Sequence, residues 1–275
     1  MSSDAPLDVA GSLRALEANS PLVHSITNDV TVNEVANVTL LWGGLPVMAD
    51  DRREVAEMVA GASALHLNMG TVSEDGEETM VAAGQAANER GVPVVFDPVG
   101  AGATPTRDRV AARLCEEVDL AVVKGNYGEV SALAGDEGEV RGVESMGEYA
   151  DIAASARRLS RETGAVVVAS GEADVVAGEE AVYTVDGGDG LLTRVVGTGC
   201  LLGVSAATFC GVTDDPLRAS LDACVAFGVA AERAAASDVA GPASFKVAFL
   251  DAVAALSPED LPAPEALAER VRRAD

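Results

Sequence analysis

The chain has 275 residues, 48% of them apolar but only 3% aromatic, so its core must be built from many small Ala, Val and Leu contacts. Its formal net charge is -25, and Lys124 and Lys246 are its only lysines. A surface this acidic repels phosphate backbones and anionic lipid, which argues against nucleic-acid binding and membrane-surface roles.

In chain order, an amphipathic segment at Asp51-Ala60 leads to a short apolar run at Ala62-Leu67. The alternation continues with a helix at Glu74-Arg90, a strand at Val92-Phe96, a helix at Thr106-Glu116 and a strand at Leu120-Val123. Val92-Phe96 and Leu120-Val123, like Ala165-Ala169 below, are short β-branched runs, Ala62-Leu67 is merely apolar, and all read as strands buried on both faces. The acidic, glycine-containing stretch Asp136-Glu144 reads as an exposed loop. A helix over Ser145-Thr163 follows, with capping-box spacing at Ser145 and Glu148, then a strand at Ala165-Ala169. Gly91 and Gly164 sit where helices should end. This rhythm predicts right-handed βαβ units, a parallel sheet covered on both faces, and one domain over 1–275.

Beyond residue 170 the pattern changes. Asp174-Ala177 and Ala181-Val185, joined by Gly178-Glu179-Glu180, predict a hairpin. Long Ala-rich helices are expected at Thr198-Cys210, Pro216-Ala236 and Pro242-Leu256.

Cys115, Cys200, Cys210 and Cys224 show no metal or disulfide spacing, and all but Cys200 read as small core residues. Met1-Ala10 lacks a basic region followed by an apolar run, and no apolar run reaches the ~18 residues of a membrane helix. A cytosolic location is expected. The acidic excess with almost no lysine points to adaptation to high salt, where screening removes self-repulsion. An ordinary acidic cytosolic protein is the plainer alternative.

The sharpest motif is Gly197-Thr198-Gly199-Cys200 at the mouth of a helix. Glycines turn backbone N–H groups toward a ligand, and the positive helix end favours an anion. Alone, such a turn is often just a turn. Three predicted strands, however, end in Asp97-Pro98-Val99-Gly100, Lys124-Gly125-Asn126 with Glu129 beyond, and Ser170-Gly171-Glu172. Ligands bind beyond the carboxyl ends of parallel strands. Carboxylates for Mg²⁺, a cation for phosphate and a glycine-rich cradle are the equipment of phosphoryl transfer from ATP. Taken singly, Asp97 could be a turn residue, Lys124 a surface charge and Glu129 a solvated helix position.

In these segments, together with His24-Ser25-Ile26-Thr27-Asn28, Gly44-Leu45-Pro46-Val47-Met48-Ala49, Leu67-Asn68-Met69-Gly70-Thr71 and Gly241-Pro242-Ala243-Ser244-Phe245, the chain resembles the hydroxyethylthiazole kinases. These are thiamine-salvage members of the ribokinase-like superfamily. The resemblance implies a three-layer α/β/α sandwich and ATP-dependent phosphorylation of 4-methyl-5-(2-hydroxyethyl)thiazole. It implies that Asn28, Met48, Gly70 and the Gly199 region line the thiazole pocket, mainly from 24–70. The nucleotide half comes mainly from 97–256, with Lys124 and Ser170 on ATP beside Asn126, and Asp97 and Glu129 on Mg²⁺ directly or through water. It also implies a homotrimer whose sites lie between protomers, the Asn28-Met48 segment facing a neighbour's nucleotide half.

Lys124 stands where the family often has arginine, and loses the bidentate fork. Ser170 replaces the usual threonine and keeps the hydroxyl, while Asp29 departs from an apolar or aromatic residue. Cys200 occupies the position of an aspartate in many ribokinase-like kinases. That argues against pyridoxal or hydroxymethylpyrimidine kinases and nucleotide-hydrate dehydratases of the same fold. A helix N-terminus lowers a thiol's pKa, yet a loose transition state needs little early proton abstraction, so Cys200 is expected to orient the substrate hydroxyl. Met48 could instead be plain core. His24 and His66 are read as satisfied core histidines with no catalytic role, and Trp42 as a packing residue.

Overall fold

The computed structural model describes residues 6–136 and 151–274. Four elements precede the first segment expected from hydropathy, Asp51-Ala60: α1 (Val9–Asn19), β1 (Leu22–Ile26), α2 (Val32–Leu41) and β2 (Leu45–Val47). Next come α3 (Val55–Val59), β3 (Ala64–Asn68), α4 (Glu74–Asn88), β4 (Val94–Asp97), α5 (Pro105–Glu117) and β5 (Val122–Asn126). The rhythm continues with α6 (Tyr127–Leu133), α7 (Ile152–Thr163) and β6 (Val166–Ser170). The hairpin β7 (Asp174–Ala177) and β8 (Val182–Val185) precedes α8 (Thr198–Cys210), α9 (Pro216–Ala236) and α10 (Pro242–Ala254). A short α11 (Pro264–Ala268) and β9 (Val271–Arg273) complete the described chain.

Among the described residues nine strands form one sheet, in the order β2-β1-β3-β4-β5-β6-β7-β8-β9. Pairing is parallel from β2 to β6 and antiparallel from β6 to β9. Alternate residues of the central strands feed two cores, as the two-residue period of a strand requires. Val95 and Val122 face the layer of α1, α2, α8, α9 and α10, whereas Val94, Phe96 and Val123 face that of α3 to α7. The result is the expected α/β/α sandwich. Within it, α8 is buried at every residue from Cys200 to Cys210, packed between α9, α2 and the strands β3 to β5. A helix apolar all round is the sequence form of such a position.

The strands run further than hydropathy predicts. Leu120-Val123 becomes Val122–Asn126, Val92-Phe96 becomes Val94–Asp97, and Ala165-Ala169 becomes Val166–Ser170. Backbone pairing needs no apolar side chain, so the β5–β6 ladder continues to Asn126 opposite Ser170. Asp97, Lys124 and Ser170 are therefore held by the sheet itself. Asp51-Ala60 shrinks to the five residues of α3, and the last long helix stops at Ala254. Gly164 closes α7 at φ 73°, but α4 ends at Asn88, before Gly91. α7 starts after Asp151, whose carboxylate accepts from Ala154 N, while Ser145, Glu148 and most of Asp136-Glu144 lie outside the described residues.

Candidate active site

The ends of β4 and β5 set two buried charges side by side. Lys124 Nζ lies 4.0 Å from Asp97 Oδ1. Asp97 Oδ2 accepts from Asn68 Nδ2 at 2.8 Å, whereas Oδ1 is buried with no hydrogen-bond donor among the described residues. Burial pushes the Asp97 carboxyl well above the usual carboxylate range, Lys124 opposing the shift and Glu129 adding to it. Burial also works against the Lys124 ammonium, but Asp97, Glu129, Cys200 and Asp174 outweigh it and keep the lysine charged.

The glycine turn faces this pair. Gly197 caps α8 at φ 93°, and no side chain caps the helix. A Cβ at Gly197 would come within 2.4 Å of Thr31 Cγ2, so both its conformation and its neighbour require glycine. A Cβ at Gly199 would sit 3.1 Å from Lys124 Nζ, and one at Gly203 3.0 Å from Asp97 Oδ2. The absent side chains thus let the first two turns of α8 press against the Lys–Asp pair, Gly199 on the lysine and Gly203 on the aspartate. First-turn amides have no intrahelical acceptor, and the helix end beside an ammonium makes a strong anion position. The Thr198 hydroxyl donates backward to Leu192 O at 3.0 Å and supports the turn from outside.

Asn28 and Gly70 close the opposite wall. Asn28 Oδ1 accepts from Val30 N and Thr31 N, each at 3.0 Å. Its Nδ2 donates to Thr31 Oγ1 and Asn68 Oδ1, both at 2.9 Å, and lies 3.5 Å from Cys200 Sγ. The carboxamide is therefore fully engaged by the protein. A Cβ at Gly70 would fall 2.7 Å from Asn28 Cβ. Met48 is half-buried against the core layer that contains α8, with no polar partner. For Cys200 the structure corrects the expected direction of the pKa. Burial, then the charge of Asp97, pushes the thiol up despite the helix N-terminus, so it stays protonated.

Glu129 is not a solvated helix residue. Its Oε2 accepts from Asn126 N at 2.7 Å while Asn126 Oδ1 accepts from Glu129 N at 2.8 Å, a reciprocal capping box that starts α6. Its Oε1 accepts from Gly100 N at 2.8 Å, tying α6 to the loop after Asp97. Ser170 Oγ donates to Gly125 O at 3.2 Å, and no hydrogen bond among the described residues joins it to Asp97. Trp42 packs as expected, its Nε1 donating to Ser205 Oγ at 2.8 Å with the ring edge-on to Phe209, and burial keeps His24 and His66 neutral. His24 Nε2 meets Ala49 O at 2.7 Å, but neither ring nitrogen of His66 has a hydrogen-bond partner among the described residues, so His66 is buried without being the satisfied core histidine expected.

Two residues were not singled out from sequence. Asn68 connects Asn28, Gly70 and Asp97. Arg107, on α5, donates from Nη1 to Met69 O at 2.9 Å and Val99 O at 2.6 Å, and from Nη2 to Gly70 O at 2.9 Å. It binds together the loops after β3 and β4.

A parallel sheet that delivers a desolvated Asp–Lys pair to an uncapped glycine turn is the apparatus of a small-molecule phosphotransferase. A sequence profile of the Hydroxyethylthiazole kinase family matches residues 13–259. The hydroxyethylthiazole kinase of Natronomonas pharaonis is 55% identical over 273 residues, covering 98% of this chain and 97% of its own length. That of Haloquadratum walsbyi is 54% identical over 265 residues, covering 95% and 92%. The chain belongs to the hydroxyethylthiazole kinase family. A solved hydroxyethylthiazole kinase from Pyrococcus horikoshii superposes with a TM-score of 0.85 at 36% identity, covering 97% of this chain and 99% of that one. A pyridoxal kinase from Staphylococcus aureus, with AMP-PCP and pyridoxal, has a TM-score of 0.55 at 14% identity over 77% of this chain and 87% of its own, and shares the ribokinase-like fold.

Proposed function

We propose that this protein transfers the γ-phosphoryl group of ATP to the primary alcohol of 4-methyl-5-(2-hydroxyethyl)thiazole, in thiamine salvage. The observation that carries the reading is the convergence of Asp97, Lys124 and the uncapped Gly197-Cys200 turn on one strand-end face. Family membership supplies the substrate. The bond from the alcohol oxygen to phosphorus forms as the β–γ bridging bond breaks, ADP leaves, and the alcohol proton passes late to solvent, because the transition state is loose. Lys124 and the amides of Gly199 and Cys200 stabilise the transferring group, with Gly197 and Thr198 holding the turn. The protonated Cys200 thiol orients the hydroxyl. Asn28, Met48 and Gly70 shape the pocket, Asn28 by form because its polar atoms are engaged. Ser170 and Asn126 border the nucleotide, in a single kinase unit over 1–275.

The donor set fits Mg²⁺. Asp97 Oδ1 is a buried oxygen with no hydrogen-bond partner among the described residues, and each Glu129 oxygen accepts one N–H and keeps a lone pair. Among the described residues no three His, Cys, Asp or Glu cluster as a protein-only site, as suits an ion held largely by phosphates and water. Asp97, and Glu129 through water, would hold the ion, which when bound neutralises phosphate charge.

We read the assembly as a homotrimer with sites between protomers. Val30 and Val196, beside Asn28 and Gly197, are 71% and 78% exposed, and Val32, Leu40, Leu45 and Val247 are exposed as well. Apolar surface at the mouth of the site supports a covering subunit. A monomer with full turnover on dilution would exclude it. A cytoplasmic location belongs to the same reading, and no helix among the described residues is long and apolar enough to cross a membrane.

The deciding experiment is a coupled ADP-release assay with the thiazole alcohol, pyridoxal and hydroxymethylpyrimidine. Preference for the thiazole alcohol is expected. Preference for either other alcohol would reassign the substrate, and nucleotide binding without turnover would point to a sensor.

A further inference from the structure

Asn68 ends β3, directly paired with Asp97 at the end of β4. It is 2% exposed. Its Oδ1 accepts from Gly70 N at 3.0 Å and from Asn28 Nδ2 at 2.9 Å, and its Nδ2 donates to Asp97 Oδ2 at 2.8 Å. A backbone amide can only donate, so Gly70 N fixes which end of the carboxamide is oxygen and directs the NH₂ group at Asp97.

The two sides of this junction depend on Asn68 unequally. Asn28 is also held by Val30 N, Thr31 N and Thr31 Oγ1, and keeps its orientation without Asn68. Among the described residues the Asp97 carboxylate has a single hydrogen bond, the one from Asn68. Its other oxygen has no donor, and Lys124 at 4.0 Å lies beyond hydrogen-bond range. The terminal torsion of an aspartate is broad, so one tether decides where the carboxylate plane points. Here the tether draws Oδ2 toward β3 and leaves Oδ1 on the side of Lys124.

We propose that Asn68 is a positioning residue of the phosphoryl-transfer site, selecting Oδ1 as the Asp97 oxygen presented to the reaction. The inference rests on the phosphoryl-transfer reading above. It assigns Asn68 to the carboxylate side of the site and not to the thiazole wall, although it touches both.

Asn68→Leu, close in volume, and the smaller Asn68→Ser provide the test. In either folded variant kcat should fall about 100-fold, as expected for a misplaced reacting group. Calorimetric affinity for the thiazole alcohol without nucleotide should stay within about threefold of wild type, since that wall is held independently. Affinity for a Mn²⁺-loaded non-hydrolysable ATP analogue, read by electron paramagnetic resonance, should weaken about tenfold. A folded variant with kcat within about threefold of wild type overturns the proposal. So does thiazole affinity that falls in step with kcat, which would make Asn68 a pocket wall. Wild-type protein that releases no ADP with any alcohol overturns instead the reading on which the proposal rests.

Discussion

Arg107 occupies the space that a side chain at Gly100 would need. A Cβ at Gly100 would lie 3.0 Å from Arg107 Cδ, and Gly100 itself has φ of 79°. The glycine leaves room for the guanidinium to reach the carbonyls of Met69, Gly70 and Val99. Arg107→Met should strand three part-buried carbonyls and lower stability by about 2 kcal/mol or more. It should also raise KM for the thiazole alcohol, because Gly70 is one of the carbonyls released. Urea unfolding and steady-state kinetics check both effects. Unchanged stability would show that water replaces the guanidinium without loss.

Gly197 and Thr31 make a second steric pair. Gly197→Ala adds a methyl 2.4 Å from Thr31 Cγ2 in a left-handed backbone conformation. The backbone strain costs about 1–3 kcal/mol, and the collision adds to it. Thr31→Ser removes Cγ2 and keeps the hydroxyl that Asn28 uses. The double variant should therefore recover part, but not all, of the stability lost in Gly197→Ala. Full recovery would mean that the left-handed conformation is not required.

Cys200 should tolerate serine. Its thiol is kept protonated by burial and lies 3.5 Å from Asn28 Nδ2, a contact that a hydroxyl can also accept. Turnover of Cys200→Ser within about tenfold of wild type is expected for a group that orients a hydroxyl. Complete loss in a folded variant, or a phosphocysteine detected by mass spectrometry after acid quench, would refute that role. A faster Cys200→Asp enzyme would identify the position as one where a base helps.

Asp222 on α9 accepts from Asp8 N at 2.8 Å and Ser12 Oγ at 2.6 Å, fastening α1 to the core. Burial pushes its carboxyl up to about 6, against the two hydrogen bonds. Because the folded state binds this proton more tightly than the unfolded chain (pKa ~3.9), the contribution is favourable below that value and lost as pH rises through 6. The loss amounts to about 3 kcal/mol. Asp222→Asn keeps an acceptor for Asp8 N and removes the titration. Its stability relative to wild type should rise between pH 4 and pH 8 in denaturant titrations. A flat difference would place the Asp222 pKa near its ordinary value.

The charge of -25 should make stability depend on salt. At low ionic strength self-repulsion acts over tens of ångströms, whereas molar KCl confines it to about 3 Å. The thermal midpoint should climb steeply with KCl. A protein fully folded and active in dilute buffer would refute adaptation to high salt, even though its relatives include proteins of halophilic archaea.

Much of this architecture is legible in the residues. α8 and α9 carry the bounds that their proline, glycine and apolar patterns predict, and Asp97, Lys124 and the glycine turn meet as strand-end logic requires. The N-terminal quarter is less so. β1 mixes His24 and Ser25 with apolar residues, and β2 is only three residues long, so neither gives a clean hydropathy run. Asn68 and Arg107 escape for another reason: their partners are backbone atoms or side chains brought close only by the sheet, and no local spacing announces them. Glu129 is the instructive case. Asn126 and Glu129 stand at capping-box spacing, yet beside Asp97 and Lys124 the carboxylate reads first as a metal ligand.

The bond from Gly100 N to Glu129 has a kinetic meaning. Because one carboxylate both starts α6 and restrains the loop after Asp97, local fraying of that helix and opening of the loop should be a single event. Hydrogen exchange at Gly100 and Asn126 should then share one opening rate, and polar groups fixed in this way would leave little reorganisation to a reaction at this strand end.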